Sequence, residues 1–114
     1  MSHTGIESPY SWDSPFHYSQ ATIHNGIVYV SGQAAIGADG SIVGENDFEV
    51  QAHQVFANLK TVLAASGSDL SKVFKVNIYM TDMSHFPTII ECREKYFSKP
   101  YPADTTVEVT ALAI

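Results

Sequence analysis

The sequence predicts an α+β fold, with one sheet carrying two helices on one face. Three observations carry this reading. Asn25-Gly26 sits between two β-prone runs, residues 47 to 66 repeat apolar side chains at helical spacing, and two alternating runs flank a second helical stretch. The resulting order is hairpin, helix, strand, helix, strand, in which strands joined through helices imply right-handed crossovers and helices on one side of the sheet. The opposite sheet face then needs a cover, and in a chain of 114 residues the simplest cover is the same face of another subunit.

Residues 1 to 17 show no period of 2 or 3.6 and are rich in Ser, Pro and His, so they read as an arm preceding a single domain over 18 to 114. Its Tyr10, Trp12 and Phe16 read as pinning the arm to the body, ahead of the alternative that they line a ligand site. The runs 18 to 23 and 27 to 31 form a hairpin, because both central positions of a type I′ turn need positive φ and Asn-Gly supplies them. A third short strand is expected at 33 to 36, or at 41 to 43 beyond the glycine turn 37 to 40.

Phe48, Ala52, Val55, Phe56, Leu59, Val62 and Leu63 place one helix face in the core. Asn46 with Glu49 has the shape of a capping box, and Gly67 supplies a left-handed stop. From 73 to 80, Phe74, Val76, Ile78 and Met80 alternate with Lys75, Asn77 and Tyr79, the pattern of a half-buried strand. Ser84 is then the expected cap of a second helix, with Pro87 in its first turn and Phe86, Ile89, Ile90 and Phe97 as its apolar stripe. The helix stops before Lys99-Pro100, and 105 to 112 is a last strand with Val107, Val109 and Ala111 facing one way and Thr106, Glu108 and Thr110 the other.

Composition narrows the function classes. Charged residues make up 16% of the chain against about a quarter in an average soluble domain, which leaves apolar surface for self-association. A formal net charge of −6 repels polyanions, so neither nucleic acid nor an acidic membrane is an expected partner. No run is long and apolar enough for a membrane helix, and a cytoplasmic location is expected. Cys92, the single cysteine, reads as a small buried hydrophobe.

The spacings tested for chemistry are unproductive. His3, His17, His24, His53 and His85 lack zinc-site spacing, and Glu49 with His53 reads as a surface pair, so no metal is expected. Gly32, Gly37, Gly40 and Gly44 match no phosphate-binding loop, no cofactor is implied, and Ser31 lacks a nucleophile-elbow context.

Four segments, taken together, resemble the RidA (YjgF) family: Tyr18-Ser19-Gln20-Ala21, Val30-Ser31-Gly32-Gln33, Thr81-Asp82-Met83 with Phe86, and 102 to 109, Pro-Ala-Asp-Thr-Thr-Val-Glu-Val. The helix around Asn58-Leu59-Lys60 and its Gly67 stop is also similar. The resemblance implies a chorismate-mutase-like fold, a homotrimer with inward-facing sheets, and small-molecule ligands in clefts between subunits. Active members hydrolyse reactive imines and enamines to keto acids and ammonia, and an arginine in the last motif clamps the substrate carboxylate through two charge-assisted hydrogen bonds.

At that arginine's position this chain has Asp104, which would repel an imino acid, and Ile90 stands where the family tends to have an asparagine. The family's final strand, with its glutamate, lies beyond the last motif, and the sequence ends at Ile114, so that strand is expected to be absent. The ligand-facing residues implied are Tyr18, Ser31, Gln33, Asp104 and Glu108. Two functions are open at this point: a hydrolytic deaminase of imine or enamine type with an altered, neutral or cationic substrate, or a non-catalytic metabolite-binding or regulatory trimer. Ribonuclease activity, attached to the family by name, is disfavoured by the acidic charge.

Overall fold

A computed structural model of the chain describes residues 2–114. It contains β1 (Thr4–Gly5), β2 (Ala21–His24), β3 (Ile27–Val30), α1 (Phe48–Ala65), β4 (Lys75–Met80), α2 (Phe86–Tyr96) and β5 (Ala103–Glu108). The chain divides into two compact units, one reaching to Asp69 and one running from Leu70 to Ile114. Among the described residues no helix is long and apolar enough to cross a membrane.

In the first unit, β2 and β3 pair antiparallel, with Ala21 opposite Val30 and His24 opposite Ile27. Asn25 and Gly26 both have positive φ, 51° and 76°, as the hairpin turn demands. The arm contributes more than side chains: β1 adds to the edge of β2, placing Thr4 opposite Ile23. Tyr10 stacks on Trp12 with ring centroids 5.7 Å apart, and the Tyr10 hydroxyl donates to the Asn58 carbonyl at 3.3 Å. Phe16 touches Trp12 edge-on but stays largely exposed.

The expected third strand reduces to one bridge between Ile36 and Ile42. The cause is Asn58, buried on α1, whose side-chain amide donates to the carbonyls of both Ala34 and Ile36 at 2.9 and 2.8 Å. Those carbonyls bond a side chain where a strand would offer them to a neighbour. α1 runs over the expected range and packs against β3, with Ala52, Phe56, Val62 and Leu63 buried. Its cap differs from expectation. Asn46 is left-handed, with φ of 62°, and an N-cap needs extended backbone, so Asp47 takes the position and its carboxylate accepts from the Val50 N–H at 3.1 Å. Gly67, with φ of 77°, ends the helix as expected.

In the second unit, β4 and β5 pair in parallel, Lys75 opposite Ala103 through Met80 opposite Glu108. α2 lies between them in sequence, as a parallel crossover requires. The alternation of β4 holds, with Val76, Ile78 and Met80 covered and Lys75, Asn77 and Tyr79 exposed. Phe74 precedes the ladder and is 68% exposed, against the expectation that it lies in the core. Asp82, not Ser84, caps the turn entering α2, its carboxylate accepting from the Ser84 N–H at 2.9 Å. Ile89, Cys92 and Phe97 are buried, whereas Ile90 is 49% exposed and outside the stripe.

One further expectation is corrected. Strand hydrogen bonds form two ladders, β1-β2-β3 and β4-β5, rather than one continuous sheet, because the order of elements predicts crossovers without specifying which edges pair. On β5 the covered residues are Asp104 and Thr106, and Val107 is exposed. The polar side of this strand is inward because Arg93 of α2 bonds both Asp104 and Thr106.

Candidate functional site

The residues predicted to face a ligand fall into two polar clusters, one in each unit. In the first, Gln20 is the organising group, at 1% exposure. It stands immediately before β2, its carbonyl accepting from the Ser31 N–H, and once buried its amide must find partners. Its Nε2 donates to Asp13 Oδ2 at 2.9 Å and to the Tyr18 hydroxyl at 3.1 Å. Its Oε1 accepts from Gln33 Nε2 at 2.9 Å. Tyr18, Gln20 and Gln33 are thus one connected network, fixed from the arm by buried Asp13, which also accepts from the Ser8 hydroxyl at 2.5 Å.

Ser31 joins this cluster through backbone. Its hydroxyl donates to the Ser19 carbonyl at 2.6 Å and its N–H to the Gln20 carbonyl at 2.9 Å. The serine therefore ties β3 to the residues entering β2, and Gln33 also donates to the Ser31 carbonyl at 3.1 Å. Burial, followed by the repulsion of nearby Asp13, holds the Tyr10 phenol above its ordinary pKa.

In the second cluster, the Arg93 guanidinium meets Asp104 edge to edge, Nε to Oδ2 at 3.0 Å and Nη2 to Oδ1 at 2.8 Å. Thr106 bridges the pair, accepting from Arg93 Nη2 at 3.0 Å and donating to Asp104 Oδ1 at 2.6 Å. The guanidinium also lies over the Phe86 ring, 5.1 Å from its centroid. An open cleft of about 460 Å³ runs beside the pair, lined by Ile90, Arg93, Glu94, Tyr101, Pro102 and Asp104. Glu108 lies at the end of β5, where Oε1 accepts from the Met83 N–H at 2.8 Å.

Sequence reasoning missed three of these groups. Gln20 stood in a quoted motif, but its burial gives it the central role, and only the fold shows Asp13 returning from the arm to meet it. Arg93 drew no sequence signal at all, because its eleven-residue separation from Asp104 matches no local pairing rule. Among the described residues no group of three or more His, Cys, Asp or Glu is arranged to hold a metal ion.

The chain is similar to known proteins both in sequence and in fold. The sequence profile of the family described as "Endoribonuclease L-PSP" matches residues 11–114. Protein HMF1 of Saccharomyces cerevisiae is 39% identical over 85% of this chain and 74% of its own. The 2-iminobutanoate/2-iminopropanoate deaminase of Dermatophagoides farinae is 37% identical over 83% of this chain and 74% of its own. In three dimensions the fold is similar to the crystal structure of YyfA of Yersinia pestis, a protein of unknown function in the conserved Rid family, with a TM-score of 0.90 and 37% identity over 98% of this chain and 90% of that one. Sequence, profile and fold agree over nearly the whole length: the chain belongs to the RidA (YjgF) family.

Proposed function

We propose that this protein is a hydrolytic deaminase of the imine or enamine type whose substrate is not a 2-imino acid, working as a cytoplasmic homotrimer with its small-molecule ligand at the subunit interface. The deaminase class is supported by similarity to a relative named for that reaction. The observation supporting an altered substrate is the Arg93–Asp104 ion pair. Asp104, which the family resemblance aligns with a carboxylate-clamping arginine, is an acid already bonded to a guanidinium.

The reaction adds water across the C=N bond. Oxygen bonds to the imine carbon, nitrogen takes a proton, and the tetrahedral carbinolamine collapses with C–N cleavage to a carbonyl compound and ammonia. No redox partner is required. Among the candidates, the Tyr18 hydroxyl accepts from Gln20 and so keeps its own proton to donate. Glu108 uses Oε1 on the Met83 N–H, leaving Oε2 to accept a proton.

The trimer is supported by apolar side chains on open strand faces in each unit. Tyr29 is 54% exposed on β3, and Tyr79 at 56% stands beside Val107 on the β4-β5 ladder. The single buried cysteine accords with a reducing compartment. The net charge of −6 weighs against ribonuclease activity.

A second reading, a non-catalytic metabolite-binding or regulatory trimer, is favoured by one observation. The donors of Ser31 and Gln33 are already committed to Ser19, Gln20 and Ser31 itself.

The test is ammonia and carbonyl release from imines generated in situ. A flavin amine oxidase acting on benzylamine supplies a neutral imine, and an amino-acid oxidase supplies 2-imino acids. Acceleration of the neutral imine alone is the expected result. No acceleration of either favours the binding reading, and acceleration of the 2-imino acids alone removes the altered-substrate claim.

A further inference from the structure

We propose that Arg93 is a specificity-determining residue: by closing on Asp104 it makes the cleft beside α2 accept small neutral molecules bearing a primary amide or imine group and refuse small carboxylates. This rests on the reading that the protein takes a small-molecule ligand.

The geometry supplies the reason. Arg93 spends its Nε and Nη2 edge on Asp104 and Thr106, and Phe86 lies beneath its plane. The guanidinium is thereby held in place, and Nη1 has no partner among the described residues. Its charge is cancelled by Asp104, so the formal charge left along the cleft is that of Glu94. A carboxylate entering there meets a neutralised cation and an unneutralised anion.

A neutral primary amide meets a matched pair of groups. Its carbonyl accepts from Arg93 Nη1 and its NH₂ donates to Glu94, while Ile90, Tyr101 and Pro102 cover its hydrocarbon part. A neutral imine, with one acceptor lone pair and one N–H, makes the same two contacts. Asp104 contributes to this cleft through Arg93 and Thr106, both of which it holds. It acts by tuning the guanidinium that faces the ligand.

The experiment compares pyruvamide with pyruvate, which share size and differ in charge, against the full chain by ligand-observed NMR. The Arg93 Nε–H resonance serves as a local reporter. The unmodified protein should bind pyruvamide about tenfold tighter than pyruvate, and Asp104→Asn should reverse that order by freeing the guanidinium. Glu94→Gln, at an exposed position, leaves the ion pair intact and should gain pyruvate affinity severalfold, which keeps the proposal testable should Asp104→Asn fold poorly. Tighter pyruvate binding by the unmodified protein, or a ratio of the two affinities that neither variant shifts toward pyruvate, overturns the role of Arg93 while leaving a ligand site in place. Binding of neither compound to any of the three proteins overturns the cleft as a ligand site.

Discussion

The Arg93 guanidinium and the Asp104 carboxylate meet along parallel edges at 3.0 and 2.8 Å, and Thr106 bonds both. With side chains 29% and 14% exposed, the pair lies between a screened surface bridge and a buried one. Removing one partner should therefore cost about 1–3 kcal/mol, less than a fully buried pair would lose. Urea denaturation of Arg93→Met, Asp104→Asn and the double variant should give a coupling energy of about 1–2 kcal/mol. Additive losses would mean that the pair contributes nothing specific.

The α1 core is the second point of test. Phe56 is buried, so Phe56→Ala should destabilise by about 3–5 kcal/mol, whereas half-buried Leu59 should lose nearer 2 on truncation. Asn58→Ala leaves the Ala34 and Ile36 carbonyls without their amide donor and should cost about 1–3 kcal/mol. Thermal melts of all three check the ranking, and an unchanged midpoint for Phe56→Ala would contradict the packing described.

These contrasts show which parts of the molecule were legible in sequence. The hairpin and α1 follow from local chemistry: Asn25-Gly26 dictates its own turn, and a long apolar period dictates a buried helix face. The ends and edges did not follow so well. Asn46 and Asp47 are both good caps by type, and only the left-handed backbone at Asn46 decides between them. On β5 the alternation marks two faces without saying which is covered, and a long-range ion pair with Arg93 turns Asp104 and Thr106 inward. The candidate site was legible as a family resemblance, yet Gln20, Asp13 and Arg93 take their roles from contacts that no spacing rule reaches.

Acid should weaken two local caps. Hydrogen bonds from Ser41 hold Asp39, and those from Ser84 hold Asp82, below the ordinary carboxylate value of 3.8. A depressed folded pKa contributes stability that is present above the unfolded value and lost as pH falls through the folded one. The melting temperature should therefore decline as the solution is taken below pH 3.8. Asp82→Ala should already lack its share at neutral pH and show a shallower acid limb. An identical acid limb in that variant would remove Asp82 from the account.

Self-association is tested by light scattering across a size-exclusion peak. The expected mass is three times the 12.5 kDa chain. Tyr29→Glu or Tyr79→Glu, which place a charge on the open strand faces, should shift the peak toward the monomer. A monomer of the unmodified protein at micromolar concentration would contradict the trimer.

The most direct test of the central claim, a deaminase-family protein whose site no longer suits 2-imino acids, is a coupled assay. A pyridoxal-phosphate dehydratase acting on serine or threonine generates 2-iminopropanoate or 2-iminobutanoate, and keto-acid release is followed with and without the unmodified protein. Forgoing a bidentate cation costs about 1.5–3 kcal/mol for each charge-assisted hydrogen bond, so a loss of several powers of ten in rate is expected. The account predicts keto-acid release indistinguishable from the buffer rate. Clear acceleration would show that another group binds the carboxylate, and the role given to the Arg93–Asp104 pair would have to be abandoned.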